Sequence, residues 1–171
     1  MESFHVKFFR LTDVRLVELL DTPIGVYVIW DGRSQMRPTY IGEGNILSRF
    51  ESHRLKFVAP IDGYIALLDG DKRKAKKEAT MLEALLLHIA HQTDRHPTRN
   101  SAGGKWKHLD RLFDRHGVVK FLIDGYDPFV APRNSRQMQR KKQIRIGITE
   151  EDDGDEAFLV EHAWRTLSSS L

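Results

Sequence analysis

The chain has no cysteine among its 171 residues. Disulfide bonds and thiolate metal sites are therefore excluded, and nothing in the composition points to export. No apolar run approaches the length of a membrane span, and no apolar segment follows a basic start as it would in a signal peptide. We therefore expect a cytoplasmic, soluble protein with no membrane partner. A chain of this length can bury a real core and suits one domain, or a catalytic core with one appendage.

A large excess of one charge is also lacking, since the formal net charge is only +3, but the cations are clustered. Residues 71–77 form one basic block, and residues 133–145 form a second block without an acidic residue. Solvated faces are the plainer explanation of either block alone, whereas two such blocks flanking a site for a phosphodiester would favour a polyanion as partner. The second block predicts a flexible loop or strand edge that can follow a DNA backbone. Its candidate DNA-binding residues are Arg133, Arg136, Arg140, Lys141, Lys142 and Arg145.

An acidic run over residues 150–156 follows the second basic block directly. If this run folds back on the block, it masks the cations from a nucleic acid. Both arrangements are open at the level of the sequence, and charge alone does not identify DNA as the partner.

Hydrophobic periodicity and turn residues predict short strands alternating with helices. The predicted strands cover residues 4–9 (at a sheet edge), 25–30, 39–42, 64–68, 118–123 and 144–148. The predicted helices cover residues 12–20, 45–56, 71–92, 105–116 and 155–168. The second half of the 71–92 segment is apolar on nearly every face, which is typical of a buried helix.

Two tyrosines stand in similar triplets on the first two strands of the central segment. Gly25, Val26 and Tyr27 lie in one strand, Tyr40, Ile41 and Gly42 lie in the next, and a turn-rich piece separates them. In a hairpin of these strands both phenols can point to a common spot. Arg49 and His53 are four residues apart on the following helix and would share a face near that spot. Two phenols, a guanidinium and an imidazole that converge form a site suited to a phosphodiester.

This ordered set of residues resembles the GIY-YIG nuclease family, with valine in place of the first isoleucine. The match continues with Glu83 in a later helix and Asn100 in the loop after it, and it covers roughly residues 24–101. The resemblance implies an α+β fold in which helices flank a small antiparallel sheet of three core strands. We expect an N-terminal strand and helix segment over residues 1–23, the catalytic core over 24–103 and a short α/β extension over 104–171, packed on the core.

The resemblance also implies roles for the converging side chains. Tyr27 is the general base that takes a proton from the attacking water, and Tyr40 is its positioning partner. Arg49 places its planar fork on the scissile phosphate, and Asn100 supports the site through hydrogen bonds. His53 is a competing base, because imidazole titrates near neutral pH whereas a free phenol has a pKa near 10.

Glu83 is the only ionisable carboxyl in a helical segment that otherwise has the composition of a core. Burying an unpaired carboxylate is costly, so Glu83 must be neutral, paired with a cation or bound to a metal. A salt bridge to a core arginine is the structural alternative. The resemblance implies that Glu83 is the sole protein ligand of one Mg²⁺ or Mn²⁺ ion, and a single carboxylate with waters suits Mg²⁺.

The function expected from the sequence is therefore a metal-dependent endonuclease that hydrolyses DNA phosphodiester bonds. The alternative is a module that binds nucleic acid on the same fold without cutting it, and a weaker third hypothesis is a protein-interaction adaptor. Sequence specificity, the type of cut and the oligomeric state stay open.

Overall fold

The structure is a computed structural model and describes residues 2–13, 23–56, 62–100, 109, 118–150 and 156–166. The strands are β1 (Glu2–Arg10), β2 (Ile24–Trp30), β3 (Tyr40–Asn45), β4 (Asp62–Leu67), β5 (Val118–Gly125), β6 (Arg140–Glu150) and β7 (Glu156–Thr166). The long helices are α1 (Ile46–Lys56) and α2 (Lys72–Gln92), and 3-10 turns cover Leu11–Asp13 and Pro132–Asn134. Neither α1 nor α2 has the length and apolar character that crossing a membrane requires.

The strands form one mixed sheet in the order β3-β2-β4-β1-β5-β6-β7. All neighbours are antiparallel except β1 and β5, which run parallel. The α+β prediction is confirmed, and β2, β3 and β4 are adjacent and antiparallel. The sheet is larger than the three strands expected, because β1 pairs with β4 on one side and β5 on the other. The three predicted segments thus contribute to one sheet, and the domain boundaries between them stay a prediction.

The prediction that residues 4–9 form an edge strand is wrong in its placement. β1 lies inside the sheet, and its Val6 and Phe8 are buried in the main core. Val6 is the register partner of Ile123 on β5, far along the chain. A strand inside a sheet that is covered on both faces shows only weak alternation of apolar and polar residues, which explains the error.

The prediction of a helix over residues 155–168 is also wrong, since β7 occupies most of this segment. β6 and β7 form a hairpin that runs from the pair Glu150 and Glu156 to the pair Arg140 and Thr166. The apolar residues at positions 158, 160 and 164 also fit the period of a strand. Eleven residues of β6 offer a long pairing edge, and this tertiary partner outweighs the local helical pattern.

The two long helices begin where the sequence predicts. Asn45 Oδ1 accepts a hydrogen bond from the Ser48 amide at 3.0 Å, so Asn45 caps α1. Asp71 caps α2 by accepting from the Lys74 amide at 3.3 Å. Most of the predicted helices over residues 12–20 and 105–116 lies outside the described residues.

Strand β2 separates two packed layers, because successive side chains of a strand point to opposite faces of the sheet. Val26 and Val28 belong to the larger core, together with Leu82 of α2. Tyr27 belongs to a smaller core, together with Ile46 of α1. α1 and α2 therefore cover opposite faces of this part of the sheet.

Candidate functional site

Tyr27 and His53 form a buried hydrogen-bonded pair at the interface between β2 and α1. The Tyr27 hydroxyl lies 2.9 Å from His53 Nε2. The side chains are 1% and 7% exposed, respectively. The alternation of β2 places Tyr27 on the α1 face, and His53 reaches it from the second turn of that helix. The convergence expected from the sequence is thus present for these two residues.

Tyr40 and Phe50 complete a cluster of four rings around this hydrogen bond. The Tyr40 ring centroid is 4.9 Å from that of His53 and 6.1 Å from that of Tyr27. Phe50, on α1, packs against Tyr27 with ring centroids 5.3 Å apart. The rings fix the positions of the phenol and the imidazole, because each side chain is held from more than one side.

Gly42 has no side chain, and the Tyr27 hydroxyl occupies the space that a side chain there would fill. Gly42 is the register partner of Tyr27 across the β2–β3 pair, and directly opposed residues share one face of the sheet. A Cβ atom at position 42 would lie 2.5 Å from the Tyr27 hydroxyl oxygen and 2.6 Å from Cε1 of Tyr40. Any side chain at this position would displace one of the two tyrosines, so the glycine is required by this arrangement of rings.

We expect Gly42→Ala to destabilise the fold by about 1–3 kcal/mol, because the added methyl overpacks the ring cluster. Thermal or denaturant unfolding measures this loss. The same substitution in a Tyr27→Leu background should cost less, since the hydroxyl and the ring carbon Cζ that the methyl meets at 2.5 and 2.6 Å are then gone. Equal costs in the two backgrounds would show that Tyr27 does not lie over Gly42.

Arg49 lies at one end of the ring cluster. Its side chain is exposed on α1, and its Nε atom is 3.3 Å from the position of a Cβ built on Gly44. Gly44 shares the Tyr27 face of β3 with Gly42, so Arg49 approaches that face as well. The guanidinium is therefore both near the Tyr27–His53 pair and accessible to a phosphate from solvent.

The environment shifts the pKa values of the paired groups in opposite directions. Burial raises the pKa of the Tyr27 phenol well above its ordinary value, and the nearby Tyr40 and Glu43 add to this, whereas Arg49 opposes it. Burial, Lys56 and Arg49 lower the pKa of His53 below its usual 6.5. At neutral pH the phenol is thus protonated and the imidazole is neutral. The direction of the hydrogen bond between them depends on which ring nitrogen of His53 carries the proton.

Asn100 is bound to strand β3 beside the two tyrosines. Its Oδ1 accepts from the Ile41 amide at 2.8 Å, and its Nδ2 donates to the Ile41 carbonyl at 2.7 Å. β3 is the terminal strand of the sheet, so no further strand among the described residues pairs with its outer edge. The asparagine amide supplies the hydrogen bonds that such a strand would make to the backbone of Ile41. It fixes the backbone between Tyr40 and Gly42, and its supporting role in a catalytic site stays a prediction.

Glu83 lies on α2, which covers the opposite face of the sheet from Tyr27. Its side chain is buried, with 3% exposure. Lys76, two helical turns before Glu83, binds Glu43 of β3, so this side of α2 faces the terminal strand. The structure therefore brings Tyr27, Tyr40, Arg49 and His53 together on one face, and places Glu83 on the other side of the sheet.

A single carboxylate is a suitable ligand for one hard divalent ion that retains water. Glu83 has this donor chemistry and is the only acidic side chain in the buried part of α2. Within the described ranges, no group of three or more histidine, aspartate or glutamate side chains is arranged for a metal ion. An ion at Glu83 would take its remaining ligands from waters and substrate oxygens.

The second basic block differs from the predicted loop or strand edge. Residues 135–139 are irregular, but Arg140, Lys141, Lys142 and Arg145 lie in β6, which pairs with both β5 and β7. Lys142 is buried, with its Nζ 2.7 Å from Asp127 Oδ2. The buried carboxylate of Asp127 and the ring of Phe129, whose centroid is 5.8 Å from Nζ, hold this lysine inside the fold. Lys141 is half-buried, whereas Arg133, Arg136, Arg140 and Arg145 are exposed.

Three contributors to the site were not found by sequence reasoning. Phe50 is three residues from His53 on α1, a spacing that puts both on one helix face and could have indicated it. Gly44 stands two residues after Gly42, on the same face of β3, which marks a strip without side chains. Glu43 faces α2 and affects the pKa of Tyr27 through space, a relationship that only the fold reveals.

The chain matches no protein-family model, and no curated protein or solved structure is significantly similar to it. Membership of the GIY-YIG family therefore stays a prediction from the motif residues.

Proposed function

We propose that this protein is a metal-dependent endonuclease of the GIY-YIG type, which hydrolyses DNA phosphodiester bonds by attack of water. The observation that carries the proposal is the hydrogen bond of 2.9 Å between the Tyr27 hydroxyl and His53 Nε2, with Arg49 beside it. A buried phenol needs a hydrogen-bond partner in any case. Here that partner is an imidazole, a group that can also accept a proton, and we propose that the pair moves a proton during the reaction.

In the proposed mechanism, Tyr27 accepts a proton from the attacking water as its own proton passes to His53 Nε2. Nε2 acts as the acceptor in the tautomer that carries its proton on Nδ1. The lowered pKa of His53 keeps the imidazole neutral and ready to accept at neutral pH. The raised pKa of Tyr27 makes the phenolate a strong but rarely formed base, and His53 is proposed to assist by taking the phenol proton during the transfer.

Arg49 is proposed to bind the scissile phosphate. Its guanidinium offers several fixed N–H donors that match two phosphate oxygens at once. As the water oxygen attacks, negative charge grows on the non-bridging oxygens, and a fixed cation stabilises that charge more than it stabilises the ground state. Tyr40, packed against His53, holds the ring cluster in place beside this cation.

Glu83 is proposed to hold one Mg²⁺ or Mn²⁺ ion. Such an ion would neutralise phosphate charge and lower the pKa of a coordinated water. Glu83 would hold the ion on the face of the sheet that α2 covers, opposite the Tyr27–His53 pair.

One observation favours the second candidate, a module that binds nucleic acid without cutting it. Tyr27 and His53 are almost fully buried, and Glu83 lies on the opposite face of the sheet. Such a module would bind DNA in EDTA and leave a supercoiled plasmid intact with Mg²⁺ or Mn²⁺. The endonuclease nicks or linearises the plasmid only with the metal, and a protein-interaction adaptor neither binds nor cuts DNA.

The four exposed arginines of the second basic block, Arg133, Arg136, Arg140 and Arg145, remain proposed DNA contacts. If three of them touch phosphates, changing all four to glutamine should reduce the slope of log affinity against log salt by roughly three units. Sequence preference should barely change, because phosphate contacts position the protein without reading bases. An unchanged slope would remove this block from the DNA-binding surface, as expected if the acidic run masks it.

A further inference from the structure

The first two turns of α2 carry a dense group of exposed cations. Ala75 is buried against the sheet, and the charged residues around it face solvent. We refer to the cations as the basic face of α2, and they are Lys72, Arg73, Lys74, Lys76 and Lys77. The first turn of the helix itself has no acidic residue, and the carboxylates next to these cations are the N-cap Asp71 and Glu43 of β3.

Clustering of cations in the first two turns destabilises α2. The positive end of a helix dipole lies at its N-terminus, where cations are unfavourable. Lys72 and Lys76 are four residues apart, as are Arg73 and Lys77, so like charges also repel along the helix surface. A surface that only needed to be soluble could carry mixed charges here at lower cost.

The basic face of α2 borders the candidate site through one ion pair. Lys76 Nζ binds Glu43, which stands between Gly42 and Gly44 on β3. Gly42 lies under the Tyr27 hydroxyl, and Arg49 lies beside Gly44. Cations therefore flank the terminal strand on both faces, with Arg49 on one face and the basic face of α2 on the other.

We infer that the basic face of α2 binds the DNA backbone next to the scissile phosphate, so that the duplex crosses the edge of β3. The inference rests on the proposed function, since it takes DNA as the substrate. Arg49 would contact the phosphate at the site, and Lys72, Arg73 and Lys77 would contact phosphates on the flanking DNA. Lys76 ties the helix to β3 through Glu43 and keeps this surface in register with the site.

The test is a triple variant, Lys72→Gln with Arg73→Gln and Lys77→Gln, which spares the Lys76–Glu43 pair and the Asp71 cap. A charge-matched control removes three exposed cations from other parts of the chain, Lys7, Arg33 and Arg37. Binding of a labelled DNA duplex of arbitrary sequence is measured in EDTA over a range of salt. A rise from about 50 to 200 mM salt weakens the binding of DNA by both proteins. If all three cations touch phosphates, the loss of affinity should be roughly 40-fold smaller for the triple variant than for wild type. The control should follow wild type.

Two further readouts support the assignment. The triple variant should unfold about 2–4 °C higher than wild type, because repulsion along α2 is relieved, which also excludes misfolding as the cause of weak binding. Cleavage at saturating DNA should keep its kcat while KM rises, since no side chain of the ring cluster is changed.

The outcomes separate this inference from the proposed function. Wild-type binding with an unchanged salt response in the triple variant overturns the inference alone. The inference is also overturned if the control variant shows an equal change in its salt response. Net charge, and not the basic face of α2, would then determine the affinity for DNA. A wild-type protein that does not bind DNA overturns both the inference and the proposed function.

Discussion

Glu83→Gln is expected to abolish DNA cleavage while DNA binding in EDTA stays at the wild-type level. Glutamine keeps the shape of the buried side chain but lacks the negative charge that a divalent ion requires. Glu83→Ala should also abolish cleavage, although the cavity that it leaves in the 3%-exposed site can lower stability as well. Wild-type cleavage should in turn stop in EDTA and return with Mg²⁺ or Mn²⁺. Plasmid nicking and duplex binding, measured in parallel, give both quantities.

Glu78→Gln is the matched control, because Glu78 lies on the same helix and is only partly buried. It should leave cleavage and binding unchanged. If Glu83 is a structural ion-pair partner instead, Glu83→Gln should lower the unfolding temperature and leave the cleavage rate of the folded protein unchanged. Metal-dependent cutting by Glu83→Gln at the wild-type rate would contradict the metal role directly.

The convergence of Tyr27, Tyr40, Arg49 and His53 could be predicted because it depends on short-range geometry. The pairing of two neighbouring strands in a hairpin brings the two tyrosines together, and the four-residue spacing on α1 puts Arg49 and His53 on one face of the helix. The placement of Glu83 depends on which face of the sheet α2 covers. The sequence shows that the helix is buried, but burial alone does not say on which side.

The size of the sheet could not be predicted for a similar reason. β1 is completed by β5, a parallel partner more than one hundred residues away in the sequence, and no local pattern encodes that pairing. Lys142 is a second example, because its burial requires Asp127 from the turn after β5. In the sequence it is one of three successive cations and has the pattern of a surface residue.

The segment that forms β7 shows the limit of periodicity as a signal. Positions 158, 159, 163 and 164 line one side of a helix, yet positions 158, 160 and 164 line one side of a strand. The segment forms a strand and not a helix because its backbone pairs with eleven residues of β6. Local propensity is weaker than a complete ladder of hydrogen bonds.

Tyr27→Phe is expected to lower the cleavage rate by about 10²–10⁴-fold, because it removes the proton acceptor with almost no change in packing. His53→Ala should lower the cleavage rate by a smaller factor than Tyr27→Phe, since Tyr27 can still lose its proton to solvent, although more slowly than to His53. Tyr64→Phe is the control, because Tyr64 is equally buried and its hydroxyl donates to the Val130 carbonyl outside the site. It should leave the rate unchanged. A larger loss in His53→Ala than in Tyr27→Phe would make His53 the general base.

The pH dependence of the rate distinguishes a proton relay from an independent phenolate. His53 accepts a proton only when it is neutral, so activity should fall as the pH drops through the pKa of His53, which lies below its usual value of 6.5. Above that pKa the rate should be level through neutral pH. His53→Ala should abolish this acidic limb. If Tyr27 instead had to ionise before the reaction, its raised pKa would make the rate climb steadily through the alkaline range, tenfold per pH unit. A climb of that kind in wild type would show that the hydrogen bond to His53 does not carry the proton.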